Sequence, residues 1–443
     1  MSPGRQGEPE RVTGSRDFVR FWVADGVSNL GTFVSTLALQ LLLIDTLHAD
    51  QRAIGLVRSA QWLPYLLFGL LAGVVVDRVR RRPLLVVADL VSAALLGAVG
   101  VLALAGRLSV PLLAGLVFVS GSASMFFVAA HQSYLPALVP LRLLPTASAR
   151  LEQTWTAAQS VGPLVGGVLV RLLSAPVAVL VDALSYAVSA VLLATIRTGE
   201  PAPERLSGST SDRPGAAAAV GRVVDDLREG AGWVYRHEML APYAVALHLW
   251  FFFNAVVTTV FVYFAATELG LDAVSIGIAL AATGLTGVIG AGLAPRLGER
   301  FGLGRVVTAS EWLSPAAYAL LLLAQPGPMA LLWPVVANLV FGLGLGLKGP
   351  LEGSYRTAVT PERLRGRMNA TIRSFNWGSI AVAAPLAGVA ATAWGNRLTI
   401  GIGVLGLLGA ALLLNVSAYR RAELPVTPMS GGPASTTSDP GSA

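Results

Sequence analysis

Twelve apolar segments, separated by short loops that carry arginine, make up most of this 443-residue chain. A helix needs about 20 apolar residues to cross roughly 30 Å of hydrocarbon, so twelve crossings take up about 240 residues. The remaining residues are enough only for loops and tails. A hydrophobic content of 54% and a charged content of 13% are extreme for a globular domain with a charged surface. The sequence therefore predicts an all-α polytopic membrane protein with twelve transmembrane helices.

The distribution of basic residues predicts how these helices are oriented. Their approximate bounds are 18–47, 53–76, 83–105, 110–130, 152–172, 174–196, 241–267, 273–297, 304–324, 329–349, 371–394 and 397–419. If the N-terminus lies in the cytoplasm, then of the 32 lysines and arginines only five lie on the outer side. These are Arg52, Arg58, Arg107, Arg171 and Arg397. This asymmetry satisfies the positive-inside rule, so we expect both termini in the cytoplasm. Because the basic residues form no single patch, a nucleic-acid partner is not expected.

The two halves of the chain repeat one another at an offset of 221 residues. A loop sequence recurs, with Ser133-Tyr134, Pro140 and Arg142-Leu143 matching Ser354-Tyr355, Pro361 and Arg363-Leu364. With one residue inserted, Trp155, Pro163 and Gly166 match Trp377, Pro385 and Gly388, and Asp89 falls opposite Glu311. Two parallel six-helix bundles are related by a pseudo-twofold axis along the membrane normal. The substrate site is then expected between them, near the bilayer midplane.

The repeat divides the chain into five parts. These are a cytoplasmic tail (1–17), an N-terminal six-helix bundle (18–196), a cytoplasmic linker (197–240), a C-terminal six-helix bundle (241–419) and a disordered cytoplasmic tail (420–443). The linker begins with a stretch rich in Pro, Ser, Gly and Ala, which predicts flexibility. Its second part, 220–234, has apolar residues at helical spacing. This spacing predicts an amphipathic helix on the cytoplasmic face or, alternatively, an ordered lead-in to the seventh helix.

The loop between the second and third predicted helices carries a motif that resembles a known family signature. Residues 73–82 read GVVVDRVRRR, which resembles a signature of the major facilitator superfamily, with Arg80 where the family usually has glycine. The motif residues are Gly73, Asp77, Arg78, Arg81 and Arg82. Asp77 can cap a helix N-terminus or pair across the two halves, and the arginines suit the headgroup region. We interpret the loop as a gate latch or, alternatively, as a topological anchor.

The fifth predicted helix carries a second motif, formed by Gly162, Pro163, Gly166 and Gly167. It is similar to the motif of the drug and metabolite exporters in the same superfamily. The variation at Arg80 and the repeated Ser-Tyr loop resemble most the branch that contains macrolide and siderophore exporters. Physically, the proline bends the helix and the glycines let a neighbour approach closely. The motif predicts a seam that closes one face against leaks or, alternatively, packing without functional consequence.

The first predicted helix has a polar stripe through an otherwise apolar sequence. Asp25, Asn29, Thr32, Thr36 and Gln40 fall within about 100° of one another at helical periodicity. An ionisable residue at membrane depth costs roughly 2.5–3.5 kcal/mol if it faces lipid, so the stripe implies a cavity or a partner. Asp25 is the first candidate for a proton site, and the other four residues are substrate-cavity candidates. The alternative for Asp25 is a structural pair with Arg20 or a helix cap.

Further polar residues in predicted helices have two interpretations each. Asp182 is either a second titrating group or a hydrogen-bonded core residue, while Asp89 and Glu311 are expected as charge relays that lock the inward gate. Asn254 is a cavity candidate. His248 is either a weaker candidate for a functional site or a satisfied interior group. Aromatic residues suit either a pocket for a bulky apolar substrate or interfacial belts, and these are Trp62, Tyr65, Trp250, Phe251, Phe252, Phe253, Tyr263, Trp312 and Trp377.

The sequence contains no motif that predicts an enzyme. It has no Gly-rich nucleotide loop with Lys-Ser/Thr, no His-Glu-x-x-His and no cysteine, and we expect no cofactor or metal. Uphill transport must then use an ion gradient. We expect a monomeric secondary transporter in the bacterial cytoplasmic membrane that exchanges a proton for a small amphipathic drug or metabolite by alternating access, as in multidrug efflux. The alternatives are a nutrient importer, a lipid flippase or a receptor that binds ligand without moving it.

Overall fold

The computed structural model describes residues 11–198, 200 and 216–424, a part of the chain that is helical and contains no strand. The N-terminal group of helices is α1 (Arg16–Leu41), α2 (Gln51–Arg78), α3 (Arg81–Leu104), α4 (Val110–Leu138), α5 (Leu144–Leu173) and α6 (Ala175–Ala194). Helix α7 (Ala216–Arg236) follows. The C-terminal group is α8 (Leu240–Tyr263), α9 (Ala273–Phe301), α10 (Leu303–Glu311), α11 (Leu313–Leu321), α12 (Leu332–Val359), α13 (Glu362–Trp394) and α14 (Asn396–Val416). In the described part, ten helical segments are long and apolar enough to cross a membrane. The chain is thus a multi-pass membrane protein.

One predicted helix differs from the sequence expectation. The segment 304–324 forms two helices of nine residues each, α10 and α11, separated at Trp312. Pro315 has no backbone N–H, so it cannot donate to the carbonyl of Glu311 four residues earlier. The chain continues in the same helical direction, because Trp312 keeps helical backbone angles and its carbonyl accepts from Ala316.

Several helices extend beyond the apolar segments that predict them. Helix α4 continues to Leu138, α12 continues to Val359, and α13 begins at Glu362, about two turns before the predicted start. These extensions carry charged or polar residues, which a hydropathy criterion assigns to loops. Their backbone hydrogen bonds are nevertheless satisfied as helix, since a helix does not need an apolar surface outside the hydrocarbon.

The internal repeat is visible in the backbone at many matched positions. Helices α1 and α8 both end in a five-residue π turn, at Leu42–Thr46 and Phe264–Glu268. Each turn is followed by a residue with positive φ, His48 or Gly270, and then by an aspartate cap. Asp50 caps α2 and Asp272 caps α9. Pro140 and Pro361 each precede a helical turn with nearly the same backbone angles. The repeat thus includes local structure as well as sequence.

The buried core is continuous at one end of the molecule and divided at the other. We call the end with the helix starts at 16 and 240 the linker side, and the end with the loops at 47–50 and 269–272 the far side. On the far side, one cluster of buried side chains joins residues of both groups, such as Val57 and Ala383. On the linker side, the N-terminal group has its own cluster around Tyr134, and the C-terminal group has another around Tyr355. The two groups therefore pack together mainly at the far side.

Candidate functional site

The N-terminal group holds three buried carboxyl groups, of Asp25, Asp89 and Asp182. Asp25 Oδ1 lies 2.9 Å from His131 Nε2 on α4, so its partner is a histidine rather than the Arg20 that the sequence offers. Arg20 instead contacts Asp17 at 2.9 Å. The His131 ring stacks on Phe21 with a centroid distance of 4.5 Å, which fixes the imidazole beside the carboxylate. The Asp25–His131 pair joins α1 and α4.

Asp182 and Asp89 lie deeper, each with 1% of its surface exposed. Asp182 accepts a hydrogen bond of 3.0 Å from Ser185, and its carboxylate fits against Gly31 of α1, where a side chain would collide with it. Asp89 Oδ2 has no hydrogen-bond partner. No cation pairs with either group among the described residues. The role of Asp89 as a charge relay of the gate stays a prediction.

The rest of the polar stripe on α1 divides into one cross-helix contact and local hydrogen bonds. Thr32 Oγ1 lies 2.9 Å from the hydroxyl of Tyr186 on α6. Thr36 donates to the carbonyl of Thr32, and Gln40 donates to the carbonyl of Thr36. Asn29 is half-buried, and Thr36 is exposed. Only the Thr32–Tyr186 contact therefore positions a side chain from another helix.

The C-terminal group holds an ion pair built on the chain's sole lysine. Lys348 Nζ lies 2.7 Å from Glu311 Oε1, and both side chains are at most 5% exposed. The ammonium also lies 4.1 Å from the centroid of the Trp250 ring. One turn further along α12, Glu352 accepts a 3.2 Å hydrogen bond from Tyr243. Glu311 Oε2 and Glu352 Oε1 have no hydrogen-bond partner, so the cluster keeps two free carboxylate oxygens.

Asn254 and His248 belong to hydrogen-bond chains in the C-terminal group. Asn254 Oδ1 accepts a 2.7 Å bond from Tyr318. His248 lies between Tyr235 of α7, at 2.8 Å, and Asn376 of α13, at 2.7 Å. The second chain therefore ties the linker helix to the membrane helices.

The far side is closed by polar contacts between the two groups. Arg58 of α2 donates to the carbonyl and the hydroxyl of Thr258 on α8, at 2.8 and 2.9 Å. Gln51 donates to Asn396 at 2.6 Å. The predicted topology assigned Arg58 only as a basic residue on the outer side. In the structure its side chain forms hydrogen bonds between the two groups.

Two titratable residues outside the spans have shifted pKa values. Hydrogen bonds from Ser275 hold the pKa of Asp272 below its usual value, and Arg171 at 2.9 Å contributes to the same shift. Burial lowers the pKa of His237, whose Nδ1 accepts from the backbone of Met239 and Leu240 at the start of α8. Both residues therefore support helix ends.

The α5 motif packs against two helices near the far side. Gly162 faces Phe33 and Gly166 faces Val34 on α1, whereas Gly167 faces the backbone of Ala273 at the start of α9. The Pro163 carbonyl in turn contacts Gly277 of α9. A side chain at any of these glycines would collide with the neighbouring helix. The seam between α5 and α9 thus depends on small residues from both helices.

The loop motif after α2 is described only in part. The side chains of Asp77 and Arg78, and the surroundings of Gly73, lie outside the described residues. Arg82 donates to the carbonyls of Leu193, at 3.2 Å, and Ala194, so it caps the C-terminus of α6. The backbone N–H of Arg81 donates to Glu200 at 2.7 Å. A cation at a helix C-terminus is favourable electrostatically, which gives Arg82 a structural role within the N-terminal group.

The sequence matches the family described as transmembrane secretion effector over residues 14–430, which is nearly the whole described chain. The chain belongs to the transmembrane secretion effector family. No curated protein matches it in sequence. This membership and the structural similarities below agree with the resemblance to the major facilitator superfamily.

Family membership is accompanied by similarity to solved transporters in fold. The nucleoside transporter NupG has a TM-score of 0.70 at 12% identity, covering 90% of this chain and 98% of NupG. A bacterial homologue of the iron transporter ferroportin, in an inward-facing state, has a TM-score of 0.67 at 15% identity, with 92% and 99% covered. A bacterial homologue of the human lysosomal transporter Spinster, inward-facing and unoccupied, has 0.66 at 14%, with 94% and 97% covered. The family member described here has the fold of a transporter.

Sequence reasoning missed four polar residues of this family member's interior. His131 and Glu352 lie in the extensions of α4 and α12 beyond the predicted segments, whereas Lys348 and Arg373 lie near the ends of predicted segments. The repeat could have indicated two of them, because His131 and Glu352 are 221 residues apart and so occupy matched positions in the two halves. They come after another matched pair, Asp89 and Glu311. Within the described residues, no group of three or more His, Asp or Glu side chains is arranged to hold a metal ion.

Proposed function

We propose that this chain is a secondary active transporter that exports a small amphipathic drug or metabolite by proton antiport and alternating access. In this proposal, α1–α6 and α8–α14 are two pseudo-twofold-related six-helix bundles, and α10 with α11 makes one of twelve crossings. The observation that carries the proposal is the single core at the far side against two separate cores at the linker side. Such a division lets two rigid groups rock about a central site.

The orientation in the proposal places the linker side in the bacterial cytoplasm. The positive-inside asymmetry of the sequence supports this orientation. The conformation is then inward-facing, as it is in the ferroportin and Spinster homologues, which are similar in fold. The α5–α9 seam, with Gly162, Pro163, Gly166 and Gly167, closes the outer face. The loop with Gly73, Asp77, Arg78, Arg81 and Arg82 acts as the latch of the opposite face.

Coupling in this proposal uses the carboxyl groups of the N-terminal group. A proton that reaches the Asp25–His131 pair changes its net charge, and a change of charge in a low dielectric alters the free energy of every nearby contact. Asp182 and Asp89, which have no cation beside them, are the second candidates. Asn29, Thr32, Thr36, Gln40 and Asn254 line the substrate path. Each 100 mV of membrane potential is worth about 2.3 kcal/mol per charge, or roughly fiftyfold in concentration.

The buried Glu311–Lys348 pair has a different part in the proposal. Its carboxylate lies 2.7 Å from the Lys348 ammonium, so Glu311 holds α10 against α12. The chain works as a monomer, because one chain supplies both groups of helices. By resemblance, its substrates belong with those of the macrolide and siderophore exporters.

The test is substrate-induced loss of a pH gradient in sealed inverted vesicles. The panel contains macrolides, cationic dyes and siderophores, and the proteins are the wild type, Asp25→Asn, Asp182→Asn and the control Asp45→Asn. Asp45 is an exposed acidic residue in the same apolar span as Asp25, Arg16–Thr46, but at its far-side end. We expect at least one compound to dissipate the gradient with the wild type and with Asp45→Asn, and Asp25→Asn to lose at least tenfold in rate.

The other outcomes separate the rival functions. If Asp25→Asn responds like the wild type and Asp182→Asn does not, export remains and the proton site moves to α6. Uptake that depends on substrate in right-side-out vesicles identifies an importer. Movement of a labelled phospholipid identifies a flippase. Binding without flux in every assay contradicts the transport proposal and favours a receptor.

A further inference from the structure

Three aromatic rings meet between the two helix groups, near the middle of helices α2 and α13. Trp62 and Tyr65 lie near the middle of α2, and Trp377 lies near the middle of α13. The ring centroids are 4.5 Å apart for Tyr65 and Trp377 and 5.9 Å apart for Trp62 and Trp377. All three side chains are half-buried. The cluster therefore presents partly open ring faces where the two groups meet.

The cluster faces the interior of the molecule and not only lipid. Arg373, one turn from Trp377 on α13, reaches Gln132 of α4 at 3.4 Å. This contact from the C-terminal to the N-terminal group places Arg373, with Trp377 beside it, between the two helix groups.

Arg373 is a cation without a carboxylate partner in the described part of the chain. Its guanidinium carbon lies 5.2 Å from the Trp377 ring centroid, and its only hydrogen bond is the 3.4 Å contact to the neutral amide of Gln132. The guanidinium of Arg397 also lies 5.2 Å from an aromatic ring, that of Phe264, but it has Glu268 at 3.5 Å and two carbonyl acceptors. A charged side chain within the membrane normally has a counter-charge or a water-filled cavity beside it.

We propose that Arg373, Trp62, Tyr65 and Trp377 form a binding site for an aromatic anion. The planar guanidinium donates two parallel N–H groups to a carboxylate, sulfonate or phosphate, a geometry that lysine does not offer. The aromatic body of the ligand packs on the tryptophan and tyrosine faces, which favour offset stacking. The anion supplies the charge that Arg373 lacks in the empty protein. This inference rests on the proposed function, because it names the substrate class of the same site.

The inference is tested by binding to purified protein in nanodiscs, without any transport step. The probes are naphthalene compounds that differ only in their polar group: 2-naphthoate, naphthalene-2-sulfonate, 2-naphthyl phosphate, the neutral naphthalene-2-carboxamide and the cationic 2-naphthylmethylamine. Calorimetry and quenching of tryptophan fluorescence report binding. The variants are Arg373→Gln, Arg373→Lys and Trp377→Leu, with Arg107→Gln as the control for loss of one positive charge at an exposed loop.

We expect at least one anion to bind the wild type at least tenfold more tightly than the carboxamide and the amine. Arg373→Gln removes this preference, and an unchanged elution volume in size-exclusion chromatography shows that the variant is folded. Arg373→Lys retains part of the preference, Trp377→Leu weakens all naphthalene probes, and Arg107→Gln behaves as the wild type. The inference is overturned if no anion binds more tightly than the carboxamide, or if Arg373→Gln keeps the preference.

Failure of the inference is distinguishable from failure of the proposed function. If anions bind through Arg373 but no compound moves in vesicles, the site stands and the transport proposal fails. If vesicles export neutral or cationic compounds while anions show no preference in nanodiscs, transport stands and the aromatic-anion site is wrong.

Discussion

At the scale of single residues, the interior of this protein contains charges that are paired very unequally. Lys348 is 2% exposed and is held between Glu311 and the Trp250 ring. Within the described residues, Asp182 accepts from the Ser185 hydroxyl and Arg373 contacts the Gln132 amide and the Trp377 ring, but neither has an oppositely charged partner. Burying an ion pair yields little net stability, whereas removing one partner leaves an uncompensated charge. Structural and functional charges are therefore separable by substitution.

Replacing Lys348 by methionine is expected to destabilise the protein by about 3–5 kcal/mol, because it leaves Glu311 buried without a cation. Unfolding of bicelle-reconstituted protein by SDS measures the loss. The double variant Lys348→Met, Glu311→Gln removes both charges and should recover most of the stability. Additive effects of the two substitutions would contradict a direct pair.

Ser174 has a backbone conformation that suits glycine. Its φ of 99° and ψ of 159° lie in a region that side chains disfavour, and the repeat-related residue is Gly395 with a φ of 84°. The strain is of the order of 1–3 kcal/mol. We expect Ser174→Gly to raise the unfolding free energy by about 1 kcal/mol and Gly395→Ser to lower it by a similar amount. Equal stability of both variants and the wild type would show that the two turns relax freely.

At the scale of helices, close approach between α5 and α9 depends on glycine rather than on apolar surface. Gly277 meets the Pro163 carbonyl, whereas Gly292, fifteen residues further along α9, faces open space. Lipid is as apolar as leucine, so helix contacts in membranes depend on close packing of small residues. The two glycines offer a matched comparison on one helix.

Gly277→Val should separate α5 from α9 at the far side, and Gly292→Val should not. The chain has no cysteine, so a single cysteine can be introduced in place of the exposed Thr36. Its reactivity with an impermeant maleimide added from the far side then reports the separation of α5 from α9. We expect labelling to increase several-fold only in Gly277→Val. Similar labelling in both valine variants would exclude a special role for the seam.

The cap of α9 should show a defined pH dependence. The pKa of Asp272 is lowered in the folded protein, so its ionised form adds stability that is present above about pH 4 and is lost as the pH falls through the folded pKa. The carboxylate is 47% exposed, and solvent screening limits the effect to under about 1 kcal/mol. The stability difference between wild type and Asp272→Asn should disappear as the pH is lowered from 7 to 3. A constant difference would assign the effect to packing.

Sequence predicted the elements well where a single helix determines them and poorly where several helices meet. The positions of the apolar segments follow from the local composition of each one. The aspartates that cap α2 and α9 are local features too, but the apolar pattern did not predict them. The break at Trp312 could be predicted only by noting that Pro315 has no N–H to donate to the carbonyl of Glu311. The partners of Asp25 and Glu311 lie more than 30 residues away in sequence, so no spacing rule identifies His131 or Lys348. The roles assigned to the polar candidates remain predictions.

At the scale of the whole molecule, the two helix groups are held together mainly by contacts on the far side. Arg58 bonds Thr258, Gln51 bonds Asn396, and one buried core includes both helix groups at this end. At the other end the two groups have separate cores. A conformational equilibrium of this kind shifts by the difference in contact free energy between its two states.

Arg58→Gln should weaken the far-side closure and shift the equilibrium toward opening at that side by about tenfold, equivalent to about 1.4 kcal/mol. Distances between pairs of spin labels, placed on both helix groups at the far side, measure the population of the open form. Arg107→Gln is the control, because Arg107 is exposed in the loop between α3 and α4 on the same side. An unchanged distance distribution in Arg58→Gln would show that apolar packing alone holds the far side closed.

The burial of the only lysine has a practical consequence. Amine-selective reagents, which modify most proteins at many surface positions, meet a single side-chain amine here, and it is enclosed between α10, α12 and the Trp250 ring. Native protein in a membrane should resist acylation at Lys348 for as long as these helices stay packed. The rate of acylation at Lys348, measured by mass spectrometry, then reports how often the C-terminal group opens, and no engineered label is required.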